Sequence, residues 1–407
     1  MNIFVHSASE CLTDHLPHGE GLICDSLFRA LLDRGHSIWT VTKTLALKNE
    51  PRRLTVVQVA PRAPFHTLHS FEYNFRINCE FRRWVSKGVK FDLIWRQAPF
   101  GPDCSICPAL DGLPLAIGPI YYPWPGGRHA QPRFGLTIRP LFAPLAALGW
   151  RRTLQRAELI LGSTPNHARK LRDSVNMRRS CSIGFNDVPV IVRAPDKLLA
   201  ESRTRPPNAP SVRLAFVAGL RENKRPLVVC ETVDLLRRKG VDAHLVVCGD
   251  GPLAETMKRL AADGGWGRRL EMKSNVANSE VFEILSRSDI LISTAVGEPY
   301  GRNIVEAMSI GTPAIAHRSG GPAEIIGHDI DGWLVDESSS EAFATAVLRI
   351  AEPNTWNRLS RGALSTARQW RPEVVGEKLE RLFGETIARH KACGNGAGRM
   401  INTPCEV

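Results

Sequence analysis

The chain has 407 residues, 43% of them apolar and 23% charged, with a formal net charge of +12. That length suits two cores rather than one, and the balance excludes a disordered or fibrous chain. The charge is uneven: residues 1–190 hold 24 Lys and Arg against 14 Asp and Glu, and residues 191–407 hold 29 against 27. A basic N-terminal half predicts anionic partners, whether nucleic acid, an acidic membrane surface or a phosphorylated acceptor. Nucleic acid is set aside, because neither zinc-finger spacing nor an RNA-binding aromatic signature is present.

The first stretch, "MNIFVH", lacks the basic region and long apolar run of a signal peptide. No segment reaches 18 uninterrupted apolar residues, the length a membrane-spanning helix needs. The expected location is therefore the cytoplasm. The ten cysteines stand singly except for Cys104 and Cys107. They read as reduced thiols, and that pair has no second pair at zinc-ligand spacing.

In chain order, "NIFVH" is a strand and Gly19 and Gly21 form a glycine loop. A helix with a Leu27, Leu31, Leu32 stripe follows, capped by Gly35, and "SIWTVT" is the next strand. Strand, glycine loop, helix, glycine, strand is the order of a parallel-sheet crossover. "LTVVQV" and "FDLIW" extend the same sheet. "LAIGPIYYPWPGGR" reads as a strand and a long loop. Leu141–Trp150 is apolar and flanked by Arg139, Arg151 and Arg152, so it is either a buried helix or an interfacial membrane helix. The second choice gives peripheral contact at the inner membrane face. "AELILGS" is a strand and "PNHARKLRDSV" a helix.

Periodicity fades and Pro and charge rise over "VRAPDKLLAESRTRPPNAPS", which marks a linker. A second series follows. "VRLAFVAGL" is a strand, "PLVVCETVDLLRRKG" a helix and "AHLVVCGDG" a strand. "EVFEILSRS" is a helix, "DILIST" a strand, "RNIVEAMSIG" a helix and "TPAIAH" a strand. The fold class is thus α/β, with two doubly wound parallel-sheet domains. The division is 1–190, a linker at 191–210, 211–370, a C-terminal helix at 371–391 and a disordered tail at 392–407.

Ligands of such sheets bind beyond the C-terminal strand ends. Glu298 lies just past "DILIST", and Glu306 one turn into the helix that starts near Tyr300–Arg302. The first amides of that helix lack partners inside it and form a natural phosphate site, which Gly301 lets a ligand approach closely. Carboxylates beside phosphates are favourable when they accept hydrogen bonds from hydroxyls. That combination suggests a ligand with hydroxyls on both sides of a diphosphate, and a nucleotide sugar is such a ligand.

The segment "EPYGRNIVEAMSIGTPAIA" resembles the Glu-x7-Glu motif of glycosyltransferase family 4, the retaining nucleotide-sugar transferases of the GT-B fold. "GGPAEII", "DGWLV", "AFVAGLRENKRP", "LVVCGDGP" and "RAELILGST" are similar to the family as well. The likeness covers about 211–340 in the C-terminal half. In the N-terminal half it is confined to the opening loop, "RGHSIW" and "RAELILGS". The resemblance implies two Rossmann-like domains facing across a cleft, with the C-terminal helix crossing back to the first. The linker and that helix would act as hinges.

It also implies roles. Glu306 would bond ribose hydroxyls, and Glu298 would orient the donor sugar. The amides of Tyr300, Gly301, Arg302 and Asn303 would hold the sugar and distal phosphate, and Lys224 would clamp the diphosphate. Gly249, Asp250 and Gly251 would turn close to the nucleotide, and the loop at Gly19 and Gly21 would face phosphates and acceptor. The acceptor would be a glycan or a lipid-linked molecule in cell-surface polysaccharide or glycolipid synthesis. No cofactor or metal is implied, because amides and Lys224 take the place of a cation. Glu324 reads equally as a site residue and as an acid complementing its own helix. His6 and His317 read as structural histidines.

Two positions depart from the family. Gly219 stands where an Arg is usual, leaving Arg221 or Arg225 to supply the charge. Arg96 and Gln97 follow "FDLIW" where many relatives carry a His near the sugar. The missing Arg keeps a non-catalytic nucleotide-sugar or glycan binder in view, and a different enzyme on the same fold, such as a nucleotide-sugar epimerase, is the other alternative. A phosphorylase would need a pyridoxal-phosphate lysine context, which is not found.

Overall fold

The structure is a computed structural model that describes residues 1–6, 8–16, 18–60, 66–97, 112–120, 153, 156–174, 183–199 and 211–397. Leu141–Trp150 and the Cys104–Cys107 pair lie outside the described residues. The chain divides into two units, one holding Met1–Asp14, His18–Ile191 and the chain from Pro372, the other Val192–Arg371.

In the first unit, β1 (Asn2–His6) and β2 (Cys11–Thr13) precede α1 (Gly19–Leu32). Next come β3 (Ser37–Thr42), β4 (Thr44–Ala46), β5 (Leu54–Gln58), α2 (His66–Ser86) and β6 (Leu93–Arg96). β7 (Leu115–Ile120), β8 (Leu159–Gly162), α3 (Pro165–Ser174) and β9 (Gly184–Asp187) complete it. Among the described residues its main sheet has seven parallel strands in the order β5-β3-β1-β6-β7-β8-β9. β2 and β4 pair separately. β1 and β6 are apolar on both faces, as strands covered on both sides must be.

The second unit begins with the short α4 (Asp196–Leu199). Its strands are β10 (Val212–Val217), β11 (Ala243–Cys248), β12 (Leu270–Lys273), β13 (Ile290–Ser293), β14 (Ala314–His317) and β15 (Trp333–Val335). Among them run α5 (Pro226–Arg238), α6 (Ala254–Asp263), α7 (Asn278–Ser286), α8 (Arg302–Ser309) and α9 (Pro322–Ile325). α10 (Ser340–Ala351) and α11 (Pro353–Ala367) follow. The sheet order β12-β11-β10-β13-β14-β15 winds outward both ways from β10. Its core packs Leu214, Phe216, Leu245, Val247, Ile290, Ile292 and Ile315 against helix residues such as Val229, Val233, Phe343 and Val347.

The last helix, α12 (Pro372–Ala397), packs on the first unit. Val375, Leu379, Leu382 and Phe383 join the cluster of Leu27, Phe28 and Leu31, and the Phe383 ring meets Trp95 edge-on at 5.3 Å. Gly376 lets it lie close to α1, since a Cβ there would fall 2.9 Å from the Ala30 carbonyl oxygen.

Two expectations change, and the stretch expected as a linker has a buried start: Ile191, Val192 and Leu198 are buried, and the units change over between Ile191 and Val192. The apolar run Val188–Val192 precedes the Pro-rich composition that suggested a linker. Gly19 and Gly21 are not in a loop but in the first turn of α1, where the His18 side chain accepts from the Gly21 N–H. The last helix runs on through 392–397, residues expected in the tail, because adding a residue to a formed helix costs far less than starting one.

Candidate functional site

The winding direction of the second sheet reverses at β10, so a ligand crevice is expected beyond β10, β11 and β13. The residues nominated from the C-terminal half lie there. The loops after β10 and β11 run back to back: Ala218 N–H donates to the Cys248 carbonyl at 3.1 Å and Leu220 N–H to that of Asp250 at 2.9 Å. A Cβ on Gly249 would stand 1.9 Å from the Ala218 carbonyl oxygen, and one on Gly251 2.5 Å from that of Leu220. These glycines are therefore required by the contact between loops, whatever ligand approaches them. Asp250 turns back to accept from the Gly251 N–H.

Lys224 sits in a 3-10 turn (Glu222–Lys224), and its ammonium pairs with the Glu298 carboxylate from the loop after β13. The Thr294 hydroxyl fixes the same two loops by donating to the carbonyls of Lys224 and Arg225, both at 2.9 Å. Arg225 itself is committed elsewhere, to the Ser338 hydroxyl and carbonyl. The Arg221 side chain is exposed and has no partner among the described residues. Of the two arginines considered as substitutes at Gly219, Arg221 is thus the one with a free guanidinium.

α8 opens with Gly301 at its N-cap, at a φ of 101°, a backbone region that favours glycine. Tyr300 is buried ahead of it. The Asn303 amide donates to the Val217 carbonyl at 3.0 Å, which stitches the first turn of α8 to the end of β10. Glu306 is only 5% exposed, and its Oε1 accepts from Arg302 Nε at 2.8 Å.

The Ser-Gly-Gly turn after β14 packs against this loop. Gly297 N–H donates to Ser319 Oγ at 2.8 Å, and Gly321 N–H to the Glu298 carbonyl at 2.7 Å. Cβ atoms on Gly320 and Gly321 would fall 2.3 Å from the Glu298 oxygen and 2.2 Å from the Tyr300 oxygen. His317 Nδ1 lies 2.8 Å from Ser319 Oγ, so this histidine supports the turn. Sequence reasoning did not find the role of Ser319, Thr294 or the Arg302 side chain. The glycine pair beside Ser319 was the available signal, since it marks a place where two chains touch. Glu324 is exposed in the first turn of α9.

Gly19 and Gly21 belong to the first unit. Gly21 is small because a Cβ would meet the Cys11 carbonyl oxygen at 2.2 Å, and its N–H is used by the His18 cap. At the ends of β1 and β6, His6, Arg96 and Gln97 are buried, and neither amide atom of Gln97 has a partner among the described residues. Burial pushes the thiols of Cys24, Cys230 and Cys248 up to about 12, which leaves them unreactive at neutral pH.

Two doubly wound parallel sheets of this kind define the GT-B class, and the chain has that fold. Residues 201–364 match the family model described as "Glycosyl transferases group 1". The chain is 29% identical to the D-inositol 3-phosphate glycosyltransferase of Corynebacterium glutamicum (strain R), over 44% of this chain and 45% of that protein. It therefore spans less than half the length of that relative. It is 27% identical to the GDP-mannose-dependent alpha-(1-6)-phosphatidylinositol monomannoside mannosyltransferase of Mycobacterium tuberculosis, over 61% of this chain and 75% of that protein. Among solved structures, Anabaena Alr3699/HepE in complex with UDP and glucose superposes with a TM-score of 0.64. That match covers 95% of this chain and all of the neighbour at 14% identity, a likeness of fold. The family model and the two relatives are all described as glycosyltransferases. Among the described residues, no helix is long and apolar enough to cross a membrane.

Proposed function

We propose that the chain is a retaining glycosyltransferase of family 4 type. It moves a sugar from a nucleotide-sugar donor to a glycan or lipid-linked acceptor in polysaccharide or glycolipid synthesis. The observation that carries this is the seating of the Glu298–Glu306 segment. One carboxylate pairs with Lys224 beyond β13, the other is held by Arg302 in α8, and the N-terminus of α8 lies between them.

In this reading Glu306 accepts hydrogen bonds from the ribose hydroxyls. The first amides of α8 and the Lys224 ammonium meet the diphosphate. Charge grows on that leaving group as the sugar becomes oxocarbenium-like, so these donors act more strongly in the transition state than before it. Glu298 holds Lys224 in place and orients the sugar. The acceptor hydroxyl attacks on the leaving-group face and gives its proton to a departing phosphate oxygen, so the anomeric configuration is kept. No metal is required for these steps, and chelator-treated protein would stay active.

The experiment is a thermal-shift screen of UDP, GDP and ADP and their common sugars on wild type and Glu306→Ala. Saturation at 100 times the dissociation constant stabilises by about 2.7 kcal/mol. One nucleotide family is expected to shift the wild type and to lose most of that shift in the variant. Anomeric analysis of the product by NMR then tests retention. A second reading, a binder without turnover, is favoured by Gly219 alone, and a wild type that binds donor without consuming it supports that reading. We place the chain in the cytoplasm, with peripheral contact at the inner membrane face. Failure to bind anionic liposomes at low salt would remove the membrane part.

A further inference from the structure

Arg302 occupies the first helical position of α8, where a cation opposes the positive end of the helix dipole. Arginine is therefore placed there against the local preference, and the reason lies one turn along. Glu306, at i+4 on the same face, is buried, and its Oε1 accepts from Arg302 Nε at 2.8 Å. The head of Arg302 is tethered in turn: Nη2 donates to Asn278 Oδ1 at 3.4 Å, from the first residue of α7. The other carboxylate oxygen, Glu306 Oε2, has no partner among the described residues.

The guanidinium fixes the rotamer of the Glu306 carboxylate and occupies one of its oxygens. The other oxygen remains to accept from a hydroxyl. Preorganisation of this kind strengthens recognition because the side chain need not be ordered on binding.

We propose that Arg302 is a positioning residue that sets the ribose selectivity of the site through Glu306, with Asn278 as its outer support. The inference rests on Glu306 as the ribose ligand. It predicts a ratio rather than an affinity: the preference for a ribonucleotide over its 2′-deoxy counterpart.

The test measures dissociation constants by calorimetry for UDP, GDP and ADP and their 2′-deoxy forms on the full chain. The proteins are wild type, Glu306→Gln, Arg302→Met, Arg302→Lys and Asn278→Ala, each checked for a cooperative melt. Wild type is expected to prefer the ribonucleotide by about tenfold or more, the strength of a hydrogen bond to a charged group. Glu306→Gln and Arg302→Met lose most of that ratio, while Arg302→Lys and Asn278→Ala keep part of it. If Arg302→Met does not fold, the fall in ratio for Asn278→Ala carries the test.

If Glu306→Gln loses the ratio and Arg302→Met keeps it, the positioning role is overturned and the ribose role of Glu306 stands. An equal loss of affinity for both sugars in Arg302→Met makes Arg302 a phosphate contact and overturns the proposal too. A ratio unchanged in Glu306→Gln, or no nucleotide bound by wild type, overturns the ribose reading and this inference with it.

Discussion

The Lys224 ammonium and the Glu298 carboxylate form an ion pair that joins the loop after β10 to the loop after β13. Their side chains are 29% and 17% exposed, so water screens the pair less than it would at an open surface. In the proposed reaction the pair acts as a unit: Glu298 fixes the cation that meets the leaving diphosphate. Lys224→Met is expected to lower kcat by roughly 100-fold to 1,000-fold, the effect of losing one donor to developing charge. Glu298→Gln lowers kcat as well, and the double variant falls little below the worse single one. Steady-state kinetics on the four proteins checks this. Losses that add in full would mean that the residues act independently.

Gly219 and Gly249 make opposite predictions. A Cβ on Gly219 meets nothing nearer than the Asp250 carbonyl oxygen at 3.9 Å, and the residue is exposed. Gly219→Arg is therefore expected to fold as wild type does. By adding a charged donor near the proposed diphosphate it tightens nucleoside diphosphate binding by about tenfold. A Cβ on Gly249 would stand 1.9 Å from the Ala218 oxygen, so Gly249→Ala is expected to destabilise by roughly 3 kcal/mol. Calorimetric binding and denaturant melts read the two outcomes.

Much of this arrangement was legible in the sequence because it rests on local signals. Strand β13 and helix α8 announce themselves by an apolar run and by a Gly before a periodic segment. Glu298 and Glu306 therefore fall at a strand end and one turn into a helix by counting alone. Roles decided by contacts across the chain were not legible. Gly21 reads as a loop glycine until the Cys11 carbonyl is found beside it, and Gly249 as a nucleotide glycine until Ala218 is. The Val188–Val192 run was hidden by the prolines after it, although Val188 and Ile191 are core residues. Strand β9, "GFND", has no apolar alternation to betray it and is defined by its pairing with β8.

Asp331 gives a pH dependence. It is buried, and burial outweighs its hydrogen bonds from Gly327 N–H at 2.8 Å and the Thr366 hydroxyl at 2.7 Å, so its carboxyl is raised above the usual value. A raised carboxyl means that the folded state binds the proton more tightly than the unfolded state. Stability then falls as pH rises from the unfolded value through the folded one. Asp331→Asn can keep both hydrogen bonds without the buried charge. The variant is expected to be at least as stable as wild type at pH 7 and to lose its advantage at acid pH. Denaturant midpoints across pH 3–7 check this, and a variant less stable at every pH would show that the charge itself is needed.

Ser319 separates holding the site from holding the fold. Its Oγ accepts from the Gly297 N–H at 2.8 Å and lies 2.8 Å from His317 Nδ1, while the neighbouring glycines press against Glu298 and Tyr300. Gly297 is exposed, so water can replace the lost acceptor, and Ser319→Ala is expected to cost no more than about 1 kcal/mol. The loop that carries Glu298 then loses one of its fixed points, and a small misplacement of a reacting group lowers the rate steeply. The expected result is a kcat reduced by about tenfold, with the melting temperature and the nucleotide dissociation constant nearly unchanged. Gly321→Ala, whose Cβ would lie 2.2 Å from the Tyr300 oxygen, should instead lower both stability and kcat. If Ser319→Ala lowers the melting temperature by many degrees and leaves kcat intact, the turn serves the fold and not the placement of Glu298.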